Sequence, residues 1–424
     1  MKTTRALKLF IGDVLVGTLL DETPLRFEYD YTWLNQVQAT PISPNISLNQ
    51  QTHNGEEVEA YFENLLPEAN LRDLLKIKHQ TTTTFGLLSV IGGDTASAFS
   101  LLPEGEQPQA PQYMPTTWEE IAESLQNPNS TLANLVQEDG ARISLAGAQN
   151  KKTIFILPNG QPALPLGNSP SSHILKPNIG GLQSVWASAL NETFIMQLAH
   201  AIGMNVAETS YQPTVKACLI KRYDRAPNKS GKLERIHQLD LCQLDSKPSH
   251  IKYESDGGPS LARCRQLLAQ NNVGAIDLKR LIEWVFFNLF VGNNDSHAKN
   301  LSIYFPNNPL KPNQNPKLTP FYDMLSTSLY AGLSTRFAFK IGSENIPGNI
   351  TSEHLQAMAI ALNFKPSYVL GIASSVAQRL LQHIENTTQN LAQIASAGTE
   401  KTLLERLNQH VIGNTTKLHS RWNI

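Results

Sequence analysis

The most constraining feature of the sequence is the apolar segment LKRLIEWVFFNLFVG at residues 278–292. Its apolar side chains fall on nearly every face of a helix, which is typical of a helix buried inside a domain. No stretch of the chain approaches the roughly 18 uninterrupted apolar residues that a membrane-spanning helix needs. We therefore predict a buried helix here, inside a C-terminal part that is mainly helical.

The N-terminal part has the pattern of β-structure. The alternating run ALKLFI leads through Gly12-Asp13, a hairpin turn signal, into VLVGTLL. A second alternating run, LRFEYDYTWL, places four large side chains on one face of a predicted strand: Leu25, Phe27, Tyr29 and Tyr31. Residues 103–115 contain four prolines among Gln, Glu and Gly, which is the composition of a linker.

Three short apolar runs predict strands in the next segment: IFIL (154–157), HILK (173–176) and KACLIKRY (216–223). Between them, apolar residues from Trp186 to Ile202 recur at helical spacing and stop at Gly203. Residues 352–407 have the pattern of several amphipathic helices. A β-rich lobe with one helix, followed by a helical lobe, predicts an α+β, protein-kinase-like bilobal fold with an N-terminal β-rich subdomain. We expect boundaries at 1–110, 111–225 and 226–424.

Composition limits the class of protein. A chain of 424 residues exceeds what one hydrophobic core usually serves, so two or three lobes are expected. A net charge of −1 lacks the basic excess of a free-standing nucleic-acid binder, so any DNA contact would be local or made through a partner. Cys218, Cys242 and Cys264 have no CxxC spacing, which favours buried thiols in a reducing compartment. Because the start MKTTRALKLFIGD lacks an apolar signal core, we expect a cytoplasmic protein with no membrane partner.

The heptapeptide Asn294–Asn300, NDSHAKN, follows the apolar segment. An Asp with an Asn five residues later, as in Asp295 and Asn300, is the spacing of a kinase catalytic loop. In such a loop the Asp accepts the proton of the attacking hydroxyl, and the Asn turns its amide oxygen toward a magnesium ion on the phosphates. A polar loop with helix-capping side chains has the same composition, so the heptapeptide alone leaves both interpretations open.

Two further segments favour phosphoryl transfer. LTPFYD ends in Asp323, whose carboxylate is the hard oxygen ligand that magnesium prefers. HILK ends in Lys176, which is suited to bind the α- and β-phosphates, and Glu192 on the following helix is its candidate partner. Each has an ordinary alternative, since Asp323 could cap a turn and Glu192 could be a solvated helix carboxylate.

Small residues in SLAGAQNK (144–151) would let backbone N–H groups approach anionic oxygens, although a plain β-turn has the same composition. His237 and His250 lack metal-ligand spacing and are predicted to be surface or satisfied core histidines. The segment YESDGGP (253–259) lacks the alternation of an EF-hand, so we predict a structured turn or a flexible segment.

In this order, ISLAGAQNK, HILK, IKRYDR, LDLCQ, KYESDGGPS, GNNDSHAKN and LTPFYD resemble the motifs of HipA-type serine/threonine kinases, and YFENLLPE resembles their N-terminal domain. The resemblance covers residues 5–340. It implies that Asp295 is the catalytic base, that Asn300 and Asp323 hold Mg²⁺, and that Ser144 is a regulatory autophosphorylation site. It also implies that ATP is bound by a wider set: Ala146, Gly147, Ala148, Gln149, Asn150, Lys151, Lys176, Lys221, Arg222, Tyr223, His297, Ala298, Lys299, Asn300, Tyr322 and Asp323.

The resemblance further implies a toxin that phosphorylates a translation component, such as an aminoacyl-tRNA synthetase, and inhibits growth. Its expected partner is a HipB-like helix-turn-helix antitoxin, through which any contact with DNA would be made. Two classes of function remain: an active kinase toxin, or a catalytically weak kinase-fold co-repressor of that antitoxin. The joint presence of Lys176, Asp295, Asn300 and Asp323 favours the enzyme. A small-molecule kinase would be consistent with His297 but not with the N-terminal domain.

Overall fold

The computed structural model describes residues 4–127, 151–305, 315–396 and 398–424. The strands are β1 (Ala6–Ile11), β2 (Val14–Leu20), β3 (Arg26–Tyr29), β4 (Thr52–Asn54), β5 (Phe99–Pro103), β6 (Gln112–Pro115), β7 (Lys152–Ile156), β8 (Pro162–Leu166), β9 (His173–Pro177), β10 (Thr209–Gln212), β11 (Ala217–Lys221), β12 (Arg225–Pro227), β13 (Leu233–Arg235), β14 (Gln238–Asp240), β15 (Ser302–Tyr304) and β16 (Lys317–Leu318).

The helices are α1 (Tyr31–Leu34), α2 (Glu56–Glu63), α3 (Ala69–Lys78), α4 (Thr84–Ile91), α5 (Trp118–Gln126), α6 (Ser188–Ala201), α7 (Leu241–Leu244), α8 (Leu261–Gln270), α9 (Ala275–Val291), α10 (Ser352–Ala361), α11 (Pro366–Ala392) and α12 (Thr399–Trp422). Short 3-10 turns include Glu254–Asp256 and Ala298–Asn300. This mixture of helices and antiparallel strands confirms the predicted α+β class. The strand candidates IFIL, HILK and KACLIKRY correspond to β7, β9 and β11, and the predicted helix before Gly203 is α6.

The chain forms two compact units. The first contains Met1–Leu175, Arg222–His250 and Ser302–Asn315, and the second contains Lys176–Lys221, Ile251–Leu301 and Pro316–Ile424. Each unit is assembled from three separate segments of the sequence, whereas each predicted domain is one continuous segment. The boundaries at residues 110 and 225 stay a prediction.

An antiparallel sheet with the strand order β4-β3-β2-β1-β5 lies in the first unit. As the alternation predicts, Leu25, Phe27 and Tyr29 are buried, but Tyr31 is 74% exposed, so the prediction that it shares their face is wrong. The strand ends because the side chain of Asp30 accepts the backbone N–H of Thr32 at 2.8 Å and thereby caps α1. Asp is a preferred N-cap residue, and here the cap overrides the strand pattern.

A second group of strands in the first unit is ordered β6-β8-β7-β9 and is also antiparallel. Its edge strand β6 falls inside the stretch that was predicted to be a linker, and Gln112 pairs with Leu166 while Pro115 pairs with Ala163. Proline cannot donate to a ladder, but an edge strand tolerates it at its end. The linker prediction is therefore wrong for residues 112–115.

The predicted buried helix is confirmed as α9, in the second unit. Trp284, Phe286 and Phe290 on this helix are fully buried. The helix packs against α11 and α12, and the ring of Trp422 on α12 lies 5.4 Å from that of Phe290. The C-terminal helices extend beyond residue 407 to Trp422, whose indole N–H donates to the carbonyl of Ile350 at 2.9 Å. Within the described ranges, no helix combines the length and apolar character that a bilayer crossing requires.

The three cysteines are buried thiols, as predicted. His237 lies in the core of the first unit, where its Nε2 bonds to the carbonyl oxygen of Ile42 at 2.8 Å. Its Nδ1 has no hydrogen-bond partner among the described residues, so one of the two ring nitrogens of this core histidine is satisfied. Burial lowers the pKa of His237 from 6.5 to about 4, although the hydrogen bond to Ile42 opposes this.

We expect the buried His237 to make stability depend on pH. The unfolded chain binds a proton at this side chain below pH 6.5, whereas the folded chain does so only below about pH 4. Stability is therefore lost as the pH falls through this window, by about 2 kcal/mol between pH 7.5 and pH 5. Unfolding free energies of wild type and His237→Gln at both pH values measure this loss, because the difference between the two pH values should be about 2 kcal/mol smaller in the variant.

The exposed His250, in the same unit, provides a matched control. His250→Gln should keep the wild-type pH dependence. If His237→Gln also keeps it, His237 is not the group responsible.

Candidate active site

The loop that carries Asp295 begins where α9 ends. Gly292 adopts the left-handed region with φ of 70°, and a Cβ at this position would overlap the hydroxyl of Ser328. Glycine is favoured at this position of a helix terminus because other residues are strained there. The sequence thus ends the apolar helix at Gly292 and turns the chain into a polar loop.

Hydrogen bonds hold the first part of this loop. The side-chain amide of the buried Asn293 donates to the Asn288 side-chain oxygen at 2.7 Å. The backbone N–H of Asn294 donates to the hydroxyl of Thr327 at 2.8 Å. These buried side chains anchor both residues before Asp295, so Asp295 follows a fixed stretch of backbone.

Asp295 itself is exposed, and the chain after it turns back toward it. The side-chain nitrogen of Asn300 donates to the Asp295 carbonyl at 3.2 Å, and the Asn300 backbone N–H donates to the His297 carbonyl at 2.9 Å. A donating nitrogen fixes the rotation of the Asn300 amide, whose oxygen is the atom able to coordinate a cation. The structure therefore brings the Asp and the Asn of the predicted catalytic loop together.

Lys176, at the end of β9, joins two acidic side chains of the second unit. Its Nζ lies 2.6 Å from Oε1 of Glu192 and 2.5 Å from Oδ1 of Asp323. Glu192 is 1% exposed, so the alternative of a solvated helix carboxylate is wrong. Burial alone would lower the pKa of Lys176, but the two carboxylates raise it above its ordinary value, so the ammonium stays charged.

Asp323 has an uncommon backbone conformation, with φ of 60°. For a residue with a Cβ, this left-handed region costs of the order of 1–3 kcal/mol and tends to occur at functional sites. The ion pair with Lys176 helps to hold the side chain there. Its side chain remains 40% exposed, which suits a carboxylate that is to bind a cation.

His297 and its neighbours form the buried side of the loop. Ala298, Lys299 and Asn300 make a 3-10 turn, and the phenol of Tyr322 donates to the Lys299 carbonyl at 2.8 Å. His297 is buried, and burial, with the nearby charge of Lys252, lowers its pKa well below the ordinary value. The imidazole is therefore neutral at neutral pH.

The structure describes some of the remaining predicted nucleotide contacts, and these stay predictions. Lys221 is exposed and pairs with Glu208 at 2.9 Å, and the carbonyl of Tyr223 accepts from the phenol of Tyr304 at 3.1 Å. The side chain of Arg222 is buried and bonds to carboxylates of the first unit, so only its backbone suits a nucleotide contact. Lys151 precedes β7, while Ser144, Ala146, Gly147, Ala148, Gln149 and Asn150 lie outside the described residues.

The donor chemistry fits magnesium. Asn300 and Asp323 offer amide and carboxylate oxygens, which are hard ligands, and Mg²⁺ commonly takes only one or two protein carboxylates plus water and phosphate oxygens. In the described part of the chain, no cluster of three or more His, Cys, Asp or Glu side chains could hold a metal ion by itself. The two oxygen donors of Asn300 and Asp323 are suited to a magnesium ion whose other ligands are phosphate and water oxygens.

Sequence reasoning missed Tyr253. The segment 253–259 was predicted to be a structured turn or a flexible segment, and the structure has an ordered turn in which the Tyr253 phenol donates to Oδ1 of Asp295 at 2.5 Å. No local pattern signals this contact, because the two residues are 42 positions apart.

The sequence matches known protein domains over most of its length. Residues 7–102 match the model of the HipA N-terminal domain, and residues 143–388, more than half of the chain, match that of the HipA-like C-terminal domain. The putative kinase Y4mE of Sinorhizobium fredii is 32% identical over 406 residues, which cover 91% of this chain and 93% of that protein. The serine/threonine-protein kinase toxin HipA of Shewanella oneidensis is 30% identical over 401 residues, covering 90% and 89%.

A solved structure shares the fold. A chain of the toxin–antitoxin complex of HipA, HipB and operator DNA from Shewanella oneidensis superposes with a TM-score of 0.82 at 24% identity, covering 99% of each chain. Together, the two matched domains and the relatives that align over about nine-tenths of the sequence show that this chain belongs to the HipA family of serine/threonine-protein kinases.

Proposed function

We propose that this kinase uses ATP and Mg²⁺ to phosphorylate serine or threonine hydroxyls of a protein, with Asp295 as the general base. The observation that carries the proposal is the position of Lys176, which bonds to both Glu192 and Asp323. A protein that only binds a partner has no need of a buried lysine held between two carboxylates. Lys176 lies in the same unit as the loop from Asp295 to Asn300. The cluster supports an enzyme rather than a co-repressor without activity.

Each residue then has a role in the transfer. ATP supplies the phosphoryl group. Lys176 binds phosphate oxygens and is oriented by Glu192, while Asn300 and Asp323 would hold Mg²⁺, which would neutralise charge on the phosphate oxygens. Asp295 takes the proton of the attacking hydroxyl. The backbone of residues 221–223 would bind adenine, and residues 146–151 and the loop around His297 and Tyr322 would surround the nucleotide.

Similarity to known relatives supports a biological role for the kinase. Similarity to the kinase toxin of Shewanella oneidensis supports a toxin that inhibits growth, and similarity to the HipA chain solved with HipB and operator DNA supports a HipB-like antitoxin as partner. A net charge of −1 agrees with DNA contact through that partner. We propose a translation component in the cytoplasm, such as an aminoacyl-tRNA synthetase, as the substrate, and phosphorylation of Ser144 as self-silencing.

Binding of MgATP tests the metal site. Asp323→Ala removes one hard oxygen ligand, so we expect MgATP affinity to fall by at least about tenfold, since even residues that only orient metal ligands are worth about 10–100-fold. Calorimetric titration with ATP, once with Mg²⁺ and once with EDTA, separates the metal contribution from the rest. Wild type should bind more tightly with Mg²⁺, and the variant should lose most of that advantage.

The exposed Glu405, in the second unit, supplies the control Glu405→Ala, which should bind as wild type does. If Asp323→Ala retains the full advantage of magnesium, Asp323 is not a ligand.

A further inference from the structure

The hydrogen bond between Tyr253 and Asp295 is a contact between two segments of the second unit. The phenol donates to Oδ1 of Asp295 at 2.5 Å. Bonds from O–H to a carboxylate at 2.5–2.7 Å are charge-assisted and about twice as strong as neutral ones. The χ2 torsion of an aspartate is otherwise broad, so this bond restricts the rotation of the carboxylate.

The loop that carries Tyr253 is held in shape by two glycines. Gly257 adopts φ of 90°, and the backbone N–H of Gly258 donates to the Tyr253 carbonyl at 2.9 Å. A Cβ at Gly258 would lie 2.6 Å from the carbonyl oxygen of Ile251 and 2.7 Å from that of Tyr253. Both are backbone atoms, so a larger residue would displace the loop. The Gly-Gly pair therefore fixes where the Tyr253 side chain begins.

The ring of Tyr253 is fixed as well. It meets the imidazole of His297 edge-on, with centroids 5.2 Å apart and planes at 87°, and Nζ of Lys252 lies 5.5 Å from its centroid. His297 is buried and belongs to the same loop as Asp295. The phenol thus reaches Asp295 from a ring that packs on the catalytic loop itself.

We propose that Tyr253 is a positioning residue of the kinase: its phenol fixes Oδ1 of Asp295, so that Oδ2 takes the proton of the attacking hydroxyl. The inference rests on the proposed function. In the step, the substrate oxygen bonds to the γ-phosphorus of ATP, the bond to the bridging oxygen of the β-phosphate breaks, and ADP leaves. The substrate proton moves to Asp295, and the phenol proton stays on Tyr253. Catalytic groups must be held to within about 10–20° of their productive orientation, and the bond from the phenol contributes to holding the Asp295 carboxylate.

A different account of the same contact makes opposite predictions. A phenol at hydrogen-bond distance from the base could stand where the substrate hydroxyl belongs, and then act as a competitor or as an acceptor itself. A competitor predicts faster transfer to other hydroxyls when the phenol is removed. An acceptor predicts phosphate on Tyr253. Gly258 fixes the loop, and His297 packs against the ring of Tyr253. The phenol is therefore better suited to hold Asp295 permanently than to stand in for the substrate hydroxyl and be displaced by it.

The test is a double-mutant cycle on the full chain. Tyr253→Phe removes only the hydroxyl and keeps the ring against His297, and the same change is made in Asp295→Asn. Transfer of ³²P from [γ-³²P]ATP to serine and threonine residues of the chain and of added myelin basic protein is followed over a range of MgATP concentrations up to saturation. We expect kcat to fall about ten- to a hundredfold in Tyr253→Phe. The KM for ATP should not change, and Tyr253→Phe should have no further effect in the Asp295→Asn background.

Two more variants make the result specific. Tyr368→Phe, at a tyrosine of the second unit that is 46% exposed, should leave kcat unchanged. Gly258→Ala, which displaces the loop without touching the phenol, should lower kcat as Tyr253→Phe does.

The inference is overturned if Tyr253→Phe transfers phosphate as fast as wild type or faster. It is also overturned if Tyr253→Phe lowers kcat by the same factor in the Asp295→Asn background, or if mass spectrometry finds phosphate on Tyr253. In those cases the kinase proposal survives as long as wild type exceeds Asp295→Asn. If wild type does not exceed Asp295→Asn, the proposed function fails and this inference fails with it.

Discussion

Replacing Asp94 by Asn should lower the unfolding free energy of the first unit by about 3–5 kcal/mol, because it leaves buried guanidinium groups without their carboxylate. Asp94 is fully buried. Its Oδ1 accepts from Arg225 at 2.8 Å and from Arg235 at 3.1 Å, and its Oδ2 accepts from Arg222 at 3.3 Å and from the hydroxyl of Ser171 at 2.7 Å. Burial would raise the pKa of this carboxyl, but the three arginines and Ser171 hold it well below its usual range.

The loss should be large because few groups can replace the missing charge. Asp224 is the second carboxylate of the cluster, and it bonds to Arg222 and Arg225 at 2.7 and 2.8 Å. Removal of Asp94 therefore leaves three arginines with one carboxylate, and the side chains of Arg222, Arg225 and Asp224 are buried. Asn keeps the volume of Asp, so the change isolates the charge from any cavity.

Denaturant unfolding, followed by the fluorescence of tryptophans, measures the effect. Asp13→Asn makes the same chemical change at an exposed turn of the same unit and should cost less than about 0.5 kcal/mol. A similarly small cost for Asp94→Asn would show that the buried cluster contributes little to the stability of this unit.

The cluster also shows what the sequence could not predict. Asp94 lies in a short GGDTAS segment, and its arginine partners follow 128 to 141 residues later, so no local pattern links them. The resemblance of IKRYDR implies a nucleotide contact at Arg222, which stays a prediction for its backbone, and its side chain bonds to Asp94 and Asp224. A motif indicates that a residue matters, but it does not say which way the side chain points.

Elements with a strong local signal were predictable. The apolar residues of α9 predict a buried helix without any knowledge of its neighbours, and Gly292 marks the end of that helix. The spacing of Asp295 and Asn300 predicts two groups on one loop, and the structure places them so. A prediction from pattern fails where two local signals compete. The alternation of apolar residues extends the strand to Tyr31, but Asp30 caps α1 and so ends the strand before it. Contacts between residues that are far apart in the sequence, such as that between Tyr253 and Asp295, can be recognised only once the fold is known.

Asp295→Asn should reduce the rate of phosphoryl transfer by about 10²–10⁴, which is the usual cost of removing a general base. Asn has nearly the same size and can still accept the Tyr253 phenol, but it cannot take a proton. Because Asp295 is exposed and its backbone is held by neighbouring residues, the variant should fold as wild type does. Affinity for MgATP should also persist, since Lys176 and Asp323 remain.

A matched control separates this loss from a general effect of charge. Glu405→Gln removes one negative charge from an exposed position of the second unit, far along the sequence from the loop. Its transfer rate should equal that of wild type. In cells, Asp295→Asn should also relieve growth arrest, and arrest that persists in this variant would show that toxicity does not come from phosphorylation.

Phosphoryl transfer through Asp295 can be measured by following ³²P from [γ-³²P]ATP into protein with wild type, Asp295→Asn and Glu405→Gln in parallel, each with Mg²⁺ and with EDTA. We expect magnesium-dependent phosphoserine or phosphothreonine with wild type and Glu405→Gln, and a rate at least about 10²-fold lower with Asp295→Asn. MgATP binding measured on the same preparations should be similar for all three proteins. Equal transfer by wild type and Asp295→Asn, with MgATP bound by both, would contradict the assignment of Asp295 as the base of a kinase.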